Sequence, residues 1–192
     1  MALALLAAAL HELPVSSANG SIAWDDGLVK VYDASGMRRT VDTAAARWNA
    51  SGAKVRLLRV ESRAEADVTI EVDDADLRQV CGRDCLGYTT TIGRPADGHT
   101  RVLLAAELGG PPRPLSVWVA AHEFGHVLGL SHRNGRVCSL MSEHAFDTSC
   151  APSLAGDEPT SAQLACVPAP ADVEDAARIY GGEPFFRDPR CR

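Results

Sequence analysis

The chain has 192 residues and a formal net charge of −6, with 46% hydrophobic and 23% charged residues. This length and composition are typical of one globular domain with a sizeable core. The chain contains two lysines, Lys30 and Lys54, and its arginines are scattered. The acidic balance therefore argues against a nucleic-acid or anionic-membrane partner, and we expect a monomer.

The N-terminal segment carries an apolar run over residues 2–10, which is too short to span a bilayer. We interpret it as the apolar part of a signal peptide over residues 1–18, with Ser16-Ser17-Ala18 as the small-residue cleavage site. The basic start of a signal peptide is missing, and the alternative is a buried N-terminal helix. The signal interpretation predicts a secreted protein with one catalytic domain over residues 19–192.

Strand and helix patterns alternate along the first half of the chain. The predicted strands are 28–32, 55–60, 66–72, 86–92 and 99–105. A helix over residues 41–48 is predicted between the first two strands, with Thr40 as its N-cap and Ser51-Gly52 at its end. This order predicts a crossover connection and a partly parallel sheet.

Three carboxylates, Asp73, Asp74 and Asp76, follow the third predicted strand. Clustered carboxylates suit a hard cation, so a Ca²⁺ site is one interpretation. A solvated acidic loop is the other, and we favour it because the cluster lacks the ordered ligand spacing of a calcium loop.

Six cysteines are an even count, which in a secreted chain indicates a disulfide framework. They are Cys81, Cys85, Cys138, Cys150, Cys166 and Cys191. Proximity along the chain favours the pairs Cys81–Cys85, Cys138–Cys150 and Cys166–Cys191. A second metal site at Cys81 and Cys85 is the poorer interpretation, because no nearby pair completes four ligands.

A metal-binding motif, H-E-x-x-H-x-x-G-x-x-H, runs from His122 to His132. On an α-helix His122 and His126 share one face and can bind one ion. Catalytic zinc takes three protein ligands and keeps one open position. Gly129 can leave the helix at a positive φ and return His132 toward the metal. Glu123 then lies beside the metal, where a general base is needed.

The alternative is a chance match on an ordinary helix. Against it, apolar residues run into and through the motif: Leu115, Val117, Trp118, Val119, Ala120, Ala121, Phe124, Val127, Leu128 and Leu130. A helix that is apolar on nearly every side is buried. Each buried polar group without a partner costs about 1–3 kcal/mol, and a metal with its water supplies those partners. We therefore favour the zinc site.

The extended motif resembles that of the metzincin metalloproteases, which carry a methionine-containing turn under the zinc. Met141, nine residues after His132, is the candidate for that turn. The short chain and the order Cys138, Met141, Cys150 resemble the small secreted bacterial snapalysin-type proteases. That group usually has Asp as the third ligand, and His132 is closer to the matrixins, so the subfamily stays open.

The resemblance implies an α+β metzincin fold: a twisted mixed β-sheet, an active-site helix and a small C-terminal subdomain that ends in a helix. The sequence itself predicts that last helix over residues 170–181. By the same resemblance, strand 99–105 is the edge strand that borders the cleft. An edge strand can pair with an extended peptide, which favours a peptide substrate. The alternative is a strand covered by the loop at residues 109–114.

The resemblance also implies a function, that of a zinc-dependent endopeptidase acting on protein or peptide substrates. His122, His126 and His132 would hold Zn²⁺, and Glu123 would be the general base. Residues 142–150 would line the pocket for the side chain after the cut, and Cys138–Cys150 would staple that loop. His144 and Tyr180 are candidate further contacts or simply structural residues. Two rival functions are an inactive zinc-binding module and a small-molecule zinc hydrolase.

Overall fold

The computed structural model describes residues 23–133, 139–142 and 166–186. These residues form a mixed α+β domain, as predicted. The strands are β1 (Leu28–Asp33), β2 (Arg56–Arg59), β3 (Val68–Val72), β4 (Gly87–Thr89) and β5 (Thr100–Leu104). The helices are α1 (Arg38–Asn49), α2 (Asp74–Cys81), α3 (Pro114–Val127) and α4 (Pro170–Tyr180).

The five strands form one sheet in the order β2-β1-β3-β5-β4. All neighbouring pairs are parallel except β4 and β5, which are antiparallel. The prediction of a partly parallel sheet is therefore confirmed.

The prediction of an edge strand at residues 99–105 is wrong, because β5 lies between β3 and β4. Three successive residues of β5, Val102, Leu103 and Leu104, are buried. A strand buried on both faces is typical of the inside of a sheet, where apolar residues need not alternate with polar ones. The edge beside the cleft is β4, a strand of only three residues with a weak sequence signal.

Helix α1 packs against α3 and begins earlier than predicted, at Arg38. Thr40 is not the N-cap, because it is buried and its hydroxyl lies 3.5 Å from Ser116 Oγ on α3. The turn before the helix is instead held by Ser35, whose hydroxyl accepts a hydrogen bond of 3.0 Å from the backbone N–H of Met37. The threonine thus contributes to helix packing rather than to capping.

The acidic residues after β3 belong to a helix that the sequence pattern did not reveal. Asp73 caps α2, accepting hydrogen bonds of 3.1 and 3.0 Å from two backbone N–H groups of its first turn. Asp74 accepts one of 2.8 Å from the Ala106 N–H, and Asp76 pairs with Arg101 at 3.1 Å. The acidic-loop interpretation is therefore wrong, and the separate partners give no support to a calcium site.

The structure contains the predicted Cys81–Cys85 disulfide, which joins the end of α2 to the segment before β4. Cys166 is also disulfide-bonded. Cys138, Cys150 and Cys191 lie outside the described residues, so the other two pairings stay predictions. None of the helices in the described ranges is long and apolar enough to cross a membrane.

Candidate metal centre

Helix α3 and the turn that follows it bring three imidazoles together. His122 and His126 are buried and lie one helical turn apart. The chain leaves the helix at Gly129 with φ +92°, and the Leu130 N–H donates to Gly125 O at 2.9 Å. His132 Nε2 then lies 3.0 Å from His126 Nε2 and 3.3 Å from His122 Nε2. The positive φ and the return of His132 are as predicted.

Backbone carbonyls set the tautomers of the two buried imidazoles. His122 Nδ1 lies 2.6 Å from Leu140 O, and His126 Nδ1 lies 2.8 Å from Leu130 O. A carbonyl only accepts hydrogen bonds, so each Nδ1 carries the hydrogen and each Nε2 turns a lone pair toward the cluster. Burial is the main cause that lowers the pKa of His122 to about 3 and that of His126 to about 4. Both rings are therefore neutral ligands at neutral pH.

The separations of His132 Nε2 from the other two Nε2 atoms fit zinc. Ligands 2.0–2.1 Å from a tetrahedral zinc ion lie about 3.3 Å from one another, close to the separations of 3.0 and 3.3 Å found here. One proton on His132 Nε2 could bridge only one of its two contacts, whereas a cation satisfies all three lone pairs. Across the described ranges, no other group of three His, Cys, Asp or Glu side chains is placed to hold a metal ion.

Glu123 lies on α3 beside the first ligand and points toward β4. Its carboxylate Oε2 accepts a hydrogen bond of 2.7 Å from Thr89 Oγ1. The residue is buried, and burial raises the pKa of its carboxyl to about 8, against the lowering effect of the Thr89 hydroxyl. The site thus contains a buried carboxyl next to three imidazoles that could hold a metal ion.

The three histidines and Glu123 open onto a cleft of about 860 Å³. Strand β4 lines one side of it and α3 lines another. The Trp118 ring stacks on His122, with ring centroids 5.3 Å apart and planes inclined by 24°. Among the described lining residues the charged side chains besides the histidines are Asp84 and Glu123, so the lining carries no lysine or arginine.

Met141 is buried next to Gly125 of α3. A Cβ atom added to Gly125 would lie 2.2 Å from Met141 Sδ and 3.4 Å from the Trp48 ring. The absence of a side chain at Gly125 therefore allows Met141 to pack directly against α3. Met141 does not line the cleft described above.

Asp172 is a residue of the site region that the sequence analysis missed. It is 1% exposed, and its carboxylate accepts hydrogen bonds from Ser139 Oγ at 2.5 Å, Leu140 N at 2.7 Å and Ala169 N at 3.0 Å. The same Leu140 peptide offers its carbonyl to His122. An acidic residue in the first turn of a helix signals a cap, but its partners more than 30 residues away carry no local signal.

The further contacts predicted from the sequence are Tyr180, His144 and the pocket segment 142–150. Tyr180 donates a hydrogen bond of 3.1 Å to Leu128 O and does not line the cleft, so its role is structural. Ser142 lines the cleft. His144 and the rest of the predicted pocket segment, residues 143–150, lie outside the described residues.

Comparisons with known proteins find similarity among solved structures. No family model matches the chain, and no curated protein matches it. Among solved structures, the chain is similar to one titled "Structure of myroilysin", with 19% sequence identity and a TM-score of 0.43. The match covers 58% of this chain and 52% of that chain, so this chain spans about half the length of the matched structure.

Proposed function

We propose that the protein is a secreted zinc-dependent endopeptidase of the metzincin type. The observation that carries the proposal is the convergence of three imidazole Nε2 atoms beside a buried glutamate, in a cleft bordered by a sheet edge. Whether the closer relatives are snapalysin-type or matrixin-type is left open.

His122, His126 and His132 would hold the zinc ion. Bound zinc supplies Lewis acidity, which lowers the pKa of a water molecule and polarises a carbonyl oxygen. Burial by itself leaves the Glu123 carboxyl largely protonated at neutral pH, but the charge of a zinc ion beside it would lower its pKa. The ionised carboxylate would then accept a proton from the attacking water and deliver it to the nitrogen of the leaving amine. The carbonyls of Leu140 and Leu130 keep the two buried imidazoles in the tautomer that binds metal.

The cleft favours an extended peptide as the substrate. Within the described residues β4 pairs only with β5, so its other edge offers backbone groups that a peptide can join as a further strand. Leu86, Tyr88, Ile92 and Trp118 supply apolar lining. The part of the lining that the structure describes has no cationic side chain, which disfavours phosphate esters and other anionic substrates.

Secretion is part of the proposal. The Cys81–Cys85 disulfide and the disulfide-bonded Cys166 fit an oxidising compartment, where such bonds persist. The predicted signal peptide over residues 1–18 would direct the chain there.

The test is cleavage of casein by the purified chain, with and without 1,10-phenanthroline, alongside Glu123→Gln. We expect cleavage that the chelator abolishes and that falls by at least about 100-fold in the variant, with one zinc per chain in both proteins by mass spectrometry of the metal. Glu174→Gln on the exposed face of α4 is the matched control and should retain activity.

Two results would contradict the proposal. A chain that binds zinc and cuts neither casein nor a peptide library would be a metal-binding module. Cleavage that survives both the chelator and Glu123→Gln would come from some other group.

A further inference from the structure

We propose that Gly87 and Thr89 of β4 are positioning residues that hold the Glu123 carboxylate in place for proton transfer. The inference rests on the proposed function, and it assigns part of the catalytic geometry to the strand that would also bind the substrate.

Thr89 anchors one oxygen of the carboxylate. Its hydroxyl lies 2.7 Å from Glu123 Oε2 and 3.2 Å from the Glu123 backbone oxygen. A hydroxyl has one hydrogen to donate, and the shorter contact is with the carboxylate oxygen, which is the stronger acceptor when it is ionised. Thr89 is buried, so little water competes for that contact.

Gly87 makes room for the other oxygen. A Cβ atom at Gly87 would lie 2.5 Å from Glu123 Oε1, 2.9 Å from its Cδ and 2.9 Å from Val119 Cγ1. Gly87 is not among the glycines with positive φ, so its backbone would accept an alanine. The carboxylate and Val119, rather than the backbone conformation, require a glycine here.

The two residues act from one face of the strand, because side chains at positions i and i+2 point the same way. One carboxylate oxygen thus lies against Gly87 while the other accepts from Thr89. A glutamate side chain has several rotatable bonds, and fixing it before substrate arrives avoids an ordering cost in the transition state. The strand that pairs with a peptide substrate would therefore also hold Glu123, the general base, in position.

A purely structural role makes a different prediction. If Thr89 and Gly87 only satisfied a buried carboxyl, their variants would lower stability and leave kcat of the folded enzyme unchanged. Positioning of the base predicts a fall in kcat, with KM nearly constant, because substrate contacts are kept.

The experiment compares Thr89→Val, Thr89→Ser and Gly87→Ala in steady-state peptide cleavage. We expect kcat to fall by about 10–100-fold in T89V and G87A, with KM within about twofold and one zinc per chain. T89S keeps the donor and should recover most of the wild-type kcat. Thr43→Val on α1 is the matched control, because Thr43 is half-buried, does not line the cleft and likewise loses a hydroxyl donor, which here binds Arg39 O at 2.7 Å.

A second readout does not depend on activity. Urea unfolding of wild type, T89V, E123A and T89V/E123A forms a double-mutant cycle that isolates the contact between the two side chains. A nonzero coupling supports the contact, and additive effects overturn it. If T89V fails to fold, G87A decides the matter, because it retains the Thr89 hydroxyl and makes its shortest contact, 2.5 Å, with the Glu123 carboxylate.

The outcomes separate this inference from the proposed function. A wild-type chain that binds zinc but cuts nothing overturns the proposed function and the positioning role with it. Wild-type cleavage with unchanged kcat in both T89V and G87A overturns the positioning role alone. A T89S variant as impaired as T89V also overturns it, because the hydroxyl would then not be the determinant.

Discussion

At the scale of single residues, Asp172 shows how one buried carboxylate can support a ligand that it does not touch. It accepts from the Leu140 N–H, and the carbonyl of Leu140 accepts from His122 Nδ1. Replacing it with alanine leaves the N–H groups of Leu140 and Ala169 without this acceptor. Each such buried group costs about 1–3 kcal/mol.

We therefore expect Asp172→Ala to lower the free energy of unfolding by about 2–5 kcal/mol and to weaken zinc binding. Urea denaturation and competition with a chromogenic chelator measure the two effects. Glu174→Ala on the same helix is the control and should change both little. Unchanged zinc affinity in Asp172→Ala would show that Asp172 is not needed to hold the Leu140 carbonyl in position against His122.

The same carboxyl predicts a pH dependence of stability. Burial raises the pKa of Asp172 above its usual value of 3.8. The folded chain then holds this proton more tightly than the unfolded chain, so the contribution to stability is complete below 3.8 and is lost as pH rises through the folded-state pKa. We expect the stability of wild type relative to Asp172→Asn to fall over that window, measured by urea unfolding at a series of pH values. If this stability difference instead rises with pH, folding lowers the pKa of Asp172 rather than raising it.

At the scale of the element, α3 depends on neighbours that bind its backbone. Trp48 Nε1 donates to Ala121 O at 2.8 Å, and Trp24 Nε1 donates to Val127 O at 2.7 Å. Val127 lies in the last turn of the helix, where carbonyls lack partners within the helix. Two tryptophans from distant parts of the chain thus hold the helix on either side of the ligand pair.

We expect Trp24→Phe and Trp48→Phe each to lower the free energy of unfolding by about 1–3 kcal/mol, because each removes a donor to a buried carbonyl. Trp118→Phe is the matched control, since no hydrogen bond of its indole is found among the described residues and its ring is only partly buried. Thermal and urea unfolding monitored by circular dichroism measure the differences. Equal losses in all three variants would mean that ring volume rather than hydrogen bonding is responsible.

The contact between α3 and Met141 makes a separate prediction. Alanine is favoured over glycine inside a helix by about 1 kcal/mol, but a Cβ at Gly125 would overlap Met141 Sδ. We expect Gly125→Ala to destabilise the fold by about 1–3 kcal/mol, and Gly125→Ala/Met141→Ala to show favourable coupling between the two changes in urea unfolding. A stabilised Gly125→Ala variant would mean that the methionine moves aside at little cost.

At the scale of the whole molecule, a zinc ion would join parts of the chain that are otherwise held by separate contacts. His122 and His126 belong to α3, and His132 belongs to the segment that leaves it. A ligand that binds only the folded state stabilises it, by about 2.7 kcal/mol at 100 times its Kd.

We therefore expect removal of zinc to lower the melting temperature by several degrees, with recovery when zinc is added back. His126→Ala should already melt at a lower temperature and should gain nothing from zinc. His99→Ala is the control, because that imidazole lies apart from the cluster and contacts Thr69 and Ala66. A zinc response retained in His126→Ala would place the ion elsewhere.

The helix around the ligands was predictable because its signals are local. The i, i+4 spacing of His122 and His126, the apolar flanks and the glycine at position 129 are all read from a few consecutive residues. Helix α2 was missed because Asp73, Asp74 and Asp76 resemble loop residues, although an aspartate is also a good N-cap. The order of β4 and β5 was wrong because the position of a strand in a sheet depends on its neighbours, not on its own residues.

The sequence by itself determined the cluster of three histidines that could hold a metal ion, the glutamate beside them and the glycine that ends the helix, because these lie within 11 residues and helical geometry relates them. Only the tertiary structure decided what surrounds them. Thr89 reaches Glu123 across 34 residues of sequence, and Asp172 reaches Leu140 across 32. Such contacts arise when β4 packs against α3 and the start of α4 packs against residues 139–140, and the local sequence pattern does not specify which side chains will then meet.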